Sequence, residues 1–111
     1  MNDRLLGGFE QLVLLTVLHL EHEDAYAVPI RAQLEERLER RVTRGALYTA
    51  LDRLERKGYL DSEMGDPSPV RGGRAKRYYA VSTAGREALR GTRALLLDLW
   101  RGLDSVWGDS R

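Results

Sequence analysis

The sequence predicts a mainly α-helical chain with one small β-hairpin, an α+β class. Three observations lead there. Apolar residues recur at helical spacing along several stretches. Leu60–Met64 and Lys76–Val81 are short runs bounded by turn residues. Between them lies a loop holding Gly65, Pro67, Pro69, Gly72 and Gly73. With 111 residues, 42% of them hydrophobic, the chain suits one compact core.

The elements follow in order. Phe9 to Leu20 reads as a helix that is apolar nearly all round, through Phe9, Leu12, Val13, Leu15, Val17 and Leu18. Such a helix needs cover on several sides, which one small domain does not easily supply, so a partner subunit is implied. Glu21–Ala25 reads as a polar loop. A second helix is placed at Pro29–Arg40: proline suits a first turn, Ile30, Leu34 and Leu38 share a face, and Glu35, Glu36, Arg37 and Glu39 are expected in solvent.

Thr43 caps a third helix, whose Leu47, Ala50, Leu51 and Leu54 gather on one side at about 100° per residue. Gly45, Tyr48, Thr49, Asp52 and Arg56 point the other way, with Arg44 and Arg53 on the flanks, and Gly58 ends the helix. A last helix is placed at Thr83–Trp107 with Thr83 as its cap. Its Leu89, Arg93, Leu96, Trp100, Leu103 and Trp107 are spaced 4-3-4-3-4, the pattern of a seam against another helix, and Leu95, Leu99 and Val106 widen that seam.

Charge narrows the functional classes. The net charge is +1, yet Arg71, Arg74, Lys76 and Arg77 crowd one short stretch of the hairpin with no acid among them. A basic patch on a balanced chain suits a nucleic-acid reader that must not bind everything. The chain has no cysteine, which excludes disulfides, thiol nucleophiles and cysteine-ligated zinc. His19 and His22 stand near Glu21, Glu23 and Asp24, but a loop of solvated side chains explains them without a metal. No cofactor and no metal are expected. The run Leu12–Leu20 is too short to span a bilayer, so the expectation is a soluble cytoplasmic protein without membrane contact.

A helix with one polar face, followed by a hairpin with a cationic tip, can grip a duplex at two points. This is the winged helix-turn-helix arrangement, predicted for residues 1–81, with a C-terminal dimerisation helix over 82–107 and a short tail at 108–111. Arg44 would pair with guanine O6 and N7, and Thr49 with a base or a phosphate. Tyr48 would reach a phosphate oxygen, and Gly45 would let the backbone approach closely. Thr43 and Arg53 border that surface. Arg71, Arg74, Lys76 and Arg77 would hold backbone phosphates or the adjacent minor groove. Tyr79 is expected to pack, whereas Tyr78 is divided between packing and DNA. The dimer contact is assigned to Phe9, Leu12, Leu89, Leu96, Leu99, Trp100, Leu103 and Trp107.

The run G-A-L-Y-x-x-L-x-R-L-E-x-x-G-x-L, then G-G-R-x-K-R-Y-Y-x-V-S-x-x-G-R, resembles the PadR family of bacterial transcriptional regulators over residues 9 to 90. The resemblance implies a homodimeric winged-helix repressor of the shorter subfamily, with one C-terminal helix making the dimer. It also implies an aromatic effector site between subunits, for which Trp100 and Trp107 are the candidates. Ala25-Tyr26 stands where family members often carry glycine-tyrosine, which bears on the bend of that loop.

Two other classes compete with this reading. A winged helix can serve as a protein-interaction module without DNA, but an apolar third-helix face or an acidic wing would then be expected, and this chain has neither. An enzyme is disfavoured: neither histidine has a catalytic partner, and Gly72-Gly73 leads into a strand rather than a phosphate-cradling helix.

Overall fold

The computed structural model describes residues 5–65 and 75–107. The order is α1 (Gly8–Leu20), α2 (Ala27–Leu38), α3 (Arg44–Arg56), β1 (Leu60–Met64), β2 (Arg77–Val81) and α4 (Thr83–Trp100), then a turn of 3-10 helix at Asp104–Trp107. The strands pair antiparallel, from Leu60 opposite Val81 to Met64 opposite Arg77.

α1 is the hub, packing against α2, α3, β2 and the start of α4. Its Val13, Leu14 and Val17 are fully buried and meet Ile30 and Leu34 of α2, Leu47, Leu51 and Leu54 of α3, and Leu60, Tyr79 and Val81 of the hairpin. Each such leucine or valine stabilises the fold by about 1.5–3 kcal/mol relative to exposure. Leu12 and Leu15, on the far side of α1, remain exposed. The helix is therefore covered by its own domain on one side and bare on the other, as its all-round apolarity implied.

Polar contacts fix the angles between elements. The Tyr79 N–H donates to the Ala25 carbonyl at 2.8 Å, which pins the α1–α2 loop to β2. Glu10 is buried and accepts from Lys57 Nζ at 3.2 and 3.3 Å, tying α1 to the end of α3. The Leu6 N–H donates to the buried Thr92 Oγ1, which anchors α4 to the segment before α1.

Several boundaries differ from expectation. α2 spans Ala27–Leu38 rather than 29–40, and Pro29 still sits in the first turn, where no N–H partner is needed. The helix stops at Glu39, which takes a left-handed conformation with φ 56°. β2 begins at Arg77, one residue after Lys76. Ser82, not Thr83, caps α4, its Oγ accepting from the Gly85 N–H at 3.0 Å.

The largest correction concerns the C-terminal helix, which ends at Trp100 and not at Trp107. Arg101 (φ −59°, ψ 130°) and Gly102 (φ 81°) form the corner of a type II turn, closed by the Leu103 N–H on the Trp100 carbonyl at 3.0 Å. The heptad-like seam is therefore interrupted after Trp100. The chain folds back, and Trp107 packs on Trp100 with ring centroids 5.6 Å apart.

In the Glu21–Ala25 segment His22, Glu23 and Asp24 are exposed as expected, but Glu21 is not solvated. The Glu21 carboxylate is 9% exposed. It accepts from the Val81 N–H at 2.7 Å and from Arg86 at 3.0 Å. The bend is taken at His22 (φ 76°), so Ala25 needs no positive φ and is buried.

Candidate nucleic-acid interface

Thr43 caps α3 as its sequence position implied, its Oγ1 accepting from the Ala46 N–H at 3.0 Å. At the other end, the Tyr59 N–H bonds the Leu54 carbonyl and the Gly58 N–H bonds the Glu55 carbonyl, with Gly58 at φ 82°. This Schellman closure ends the helix and turns the chain directly into β1. Along α3, Leu47, Ala50, Leu51 and Leu54 are buried. Arg44, Gly45, Tyr48, Thr49, Asp52, Arg53 and Arg56 are exposed on the opposite half of the helix. Nothing lies within 4 Å of a side-chain position at Gly45, so the backbone there is open to a close approach.

The hairpin stands beside this helix and leaves a cleft of about 660 Å³. Tyr48, Asp52 and Glu55 line it from α3; Lys76, Arg77 and Tyr79 line it from the hairpin, and Tyr26 closes it at the start of α2. Thus Tyr48, Lys76 and Arg77 come together around one opening. Thr43, Arg44, Gly45, Thr49 and Arg53 are not part of its lining. Arg71 and Arg74 lie outside the described residues.

A short relay joins the hairpin to α3. Arg77 Nη1 donates to Ser62 Oγ at 3.0 Å, and Ser62 Oγ donates to Glu55 Oε2 at 2.6 Å. Glu55 is therefore held by a strand hydroxyl, with the arginine one step further on. Lys76 Nζ lies 5.0 Å from the centre of the Tyr26 ring, a cation–π distance, and Tyr26 meets Tyr78 edge to face at 5.4 Å. Tyr78 is thus half-buried and packs against Tyr26. Tyr79 is buried, as expected. Its burial, and secondarily the negative charge of Glu55, hold its phenol above the usual tyrosine range.

Two supporting groups escaped the sequence reading. Glu35, expected in solvent, accepts from the Val42 N–H at 2.8 Å, while Arg31 Nε donates to the Val42 carbonyl at 2.7 Å. Their spacing of four on α2 was visible, but not the turn that would come to lie across it. Glu21 carried no signal beyond its charge.

The other predicted surface lies on the opposite side. Leu12, Leu96, Leu99, Trp100, Leu103 and Trp107 are all exposed, whereas Phe9 and Leu89 are half-buried against their own core. Leu15, Leu18, Leu89, Leu96 and Trp100 line a groove of about 640 Å³ between α1 and α4. Trp100 and Trp107 contact each other, their ring centroids 5.6 Å apart and their planes tilted by 32°. Among the described residues, no helix is long and apolar enough to cross a membrane. Among the same residues, no group of three or more His, Cys, Asp and Glu side chains is arranged to hold a metal.

Comparison with known proteins bears on this geometry. The chain is 41% identical over 87 residues to the transcriptional regulator Rv3488 of Mycobacterium tuberculosis, covering 76% of this chain and 78% of that protein. Its fold is similar to that of a PadR-like transcription factor from Bacteroides fragilis, with a TM-score of 0.70, 26% identity and 88% of each chain covered. A PadR family transcription regulator from Clostridium difficile R20291 gives a TM-score of 0.63 at 28% identity, covering 91% of this chain and 96% of that one. The family model for PadR-like transcriptional regulators matches residues 14–91, from the middle of α1 to the middle of α4. With its exposed third helix and adjoining hairpin on one face, this chain belongs to the PadR-like family, whose members regulate transcription and are not enzymes.

Proposed function

We propose that the protein is a homodimeric, sequence-specific DNA-binding repressor. Each subunit lays the amino-terminal half of α3 into a major groove and rests its hairpin on the flanking backbone. The observation that carries this reading is the union of Tyr48 from α3 with Lys76 and Arg77 from the hairpin around one cleft, beside the exposed polar face of α3. Arg44 and Thr49 read bases, while Thr43, Tyr48, Arg53, Lys76 and Arg77 hold phosphates, joined by Arg71 and Arg74 from the sequence between the strands.

Dimerisation is supported by the exposed apolar surface of Leu12, Leu15, Leu95–Leu97, Leu99 and Trp100, together with the stretch from Leu103 to Trp107. A second copy that buries this surface gives a two-fold axis. The operator is then pseudo-palindromic, with half-sites roughly one helical turn, about 34–36 Å, apart. The groove between α1 and α4 offers an aromatic effector a place beside Trp100, at the subunit contact, from which it would alter the angle between the two reading heads.

The test is binding of the purified protein to the promoter upstream of its own gene, measured beside a shuffled duplex. Selective retention of the promoter is expected. Replacing Arg44 or Thr49 with alanine should then lower discrimination by about 1–3 kcal/mol for each base no longer read. Equal weakening on every sequence would make those residues backbone anchors. No retention of any duplex would leave the protein-interaction alternative standing.

A further inference from the structure

We infer that Arg31 and Glu35 form a clamp that positions the recognition helix, and so determine discrimination between sequences without touching DNA. The inference rests on the reading of α3 as the element that enters the major groove.

The clamp consists of two α2 side chains, one helical turn apart, that take both backbone groups of a single turn residue. Arg31 Nε donates to the Val42 carbonyl at 2.7 Å, and the Val42 N–H donates to Glu35 Oε2 at 2.8 Å. The two side chains also approach each other at 3.8 Å, so each limits the other's freedom. Val42 immediately precedes Thr43, the cap of α3. The turn itself is irregular, with Glu39 left-handed at φ 56°.

Most of α3 is held by its buried leucines, which fix how deep the helix sits. The Val42 side chain is buried in the same core, and the charged hydrogen bonds add a directional hold on both of its backbone groups, which apolar packing does not supply. Arg44, proposed above to read a base, and Gly45, where the backbone is open to close approach, follow that entry directly. Both clamp side chains remain one-third exposed, so the core does not depend on them for burial. Loss of the clamp is therefore expected to spread the approach angles of the amino-terminal turn while the helix stays in place.

The charge of Glu35 provides a clean discriminator. Removing an acid from a DNA-binding protein should tighten non-specific binding or leave it unchanged, by electrostatics alone. A positioning role predicts the opposite effect on the specific complex. The experiment uses the full chain and a duplex selected by the native protein from a random pool, beside a shuffled version, at one salt concentration. Glu35→Ala should lower the ratio of selected to shuffled affinity by roughly five- to tenfold. Shuffled binding should stay the same or become tighter, and the Val42 amide should lose protection from hydrogen exchange. Glu35→Gln, whose amide oxygen can still accept from the Val42 N–H, should keep the native ratio.

If Glu35→Ala does not fold, Arg31→Lys carries the same expectation, since it keeps the charge and puts a methylene where Nε donates. A native ratio in either clamp-breaking variant, or equal weakening on both duplexes, overturns the clamp alone. A native protein that selects no duplex overturns both the clamp and the reading on which it rests.

Discussion

Gly85 shows how tightly single residues can be set in a chain this small. It sits in the first turn of α4, where that helix crosses the root of the hairpin. A side-chain carbon there would overlap the Tyr59 carbonyl oxygen and come within 2.8 Å of Val81 Cγ1. Backbone cannot swing aside as a flexible side chain can, so the helix itself would have to move. Gly85→Ala is expected to destabilise the fold by about 1–3 kcal/mol, read as a lower midpoint in thermal or urea unfolding. Gly91 lies on the same helix with open space around it, so Gly91→Ala should stabilise by about 0.5–1 kcal/mol. If the two variants melted alike, the close approach at Gly85 would not constrain α4. The sequence displays both glycines and separates them by nothing: their difference comes from what crosses in front of each.

Among the elements, α3 and the hairpin were the most legible. The cap at Thr43, the buried leucine face and the glycine stop at Gly58 are local signals, and each is realised in place. Pairing of β1 with β2 followed from two short runs around a turn-rich loop. What stayed hidden was long-range: the Glu55–Ser62–Arg77 relay, the hold of Glu21 on Val81 and Arg86, and the turn draped over Arg31 and Glu35. Each joins charged or polar residues far apart in the chain, and no periodicity encodes a partner for a solitary acid. The hairpin's own contribution can be measured. Replacing Arg74, Lys76 and Arg77 together with alanine should weaken binding to selected and random duplexes alike. It should also flatten the dependence of log affinity on log salt by about 0.9 for each phosphate no longer neutralised. An unchanged slope would remove the wing from the proposed mechanism. Ser62 remains bonded to Glu55 in that variant, so the strand keeps its tie to α3.

At the scale of the whole molecule, the reading face and the bare apolar face lie on opposite sides of α1. Only Gly85 and Thr92 of α4 are buried, and its distal half projects from the domain with Leu95–Leu97, Leu99 and Trp100 exposed. A charge placed at Leu96 or Leu103 is expected to give monomers or aggregates by light scattering. A well-behaved dimer would exclude those residues from the contact. Sequence spacing identified this face but extended the helix too far, because a heptad-like pattern continues through Arg101-Gly102 while the backbone does not. The resulting fold-back gathers both tryptophans of the chain at the same extremity, exposed and in contact with each other. The indole emission of the protein therefore arises wholly at that extremity. Quenching or a spectral shift would register association there while staying blind to the helix-turn-helix, an optical gauge that the polypeptide carries without labelling.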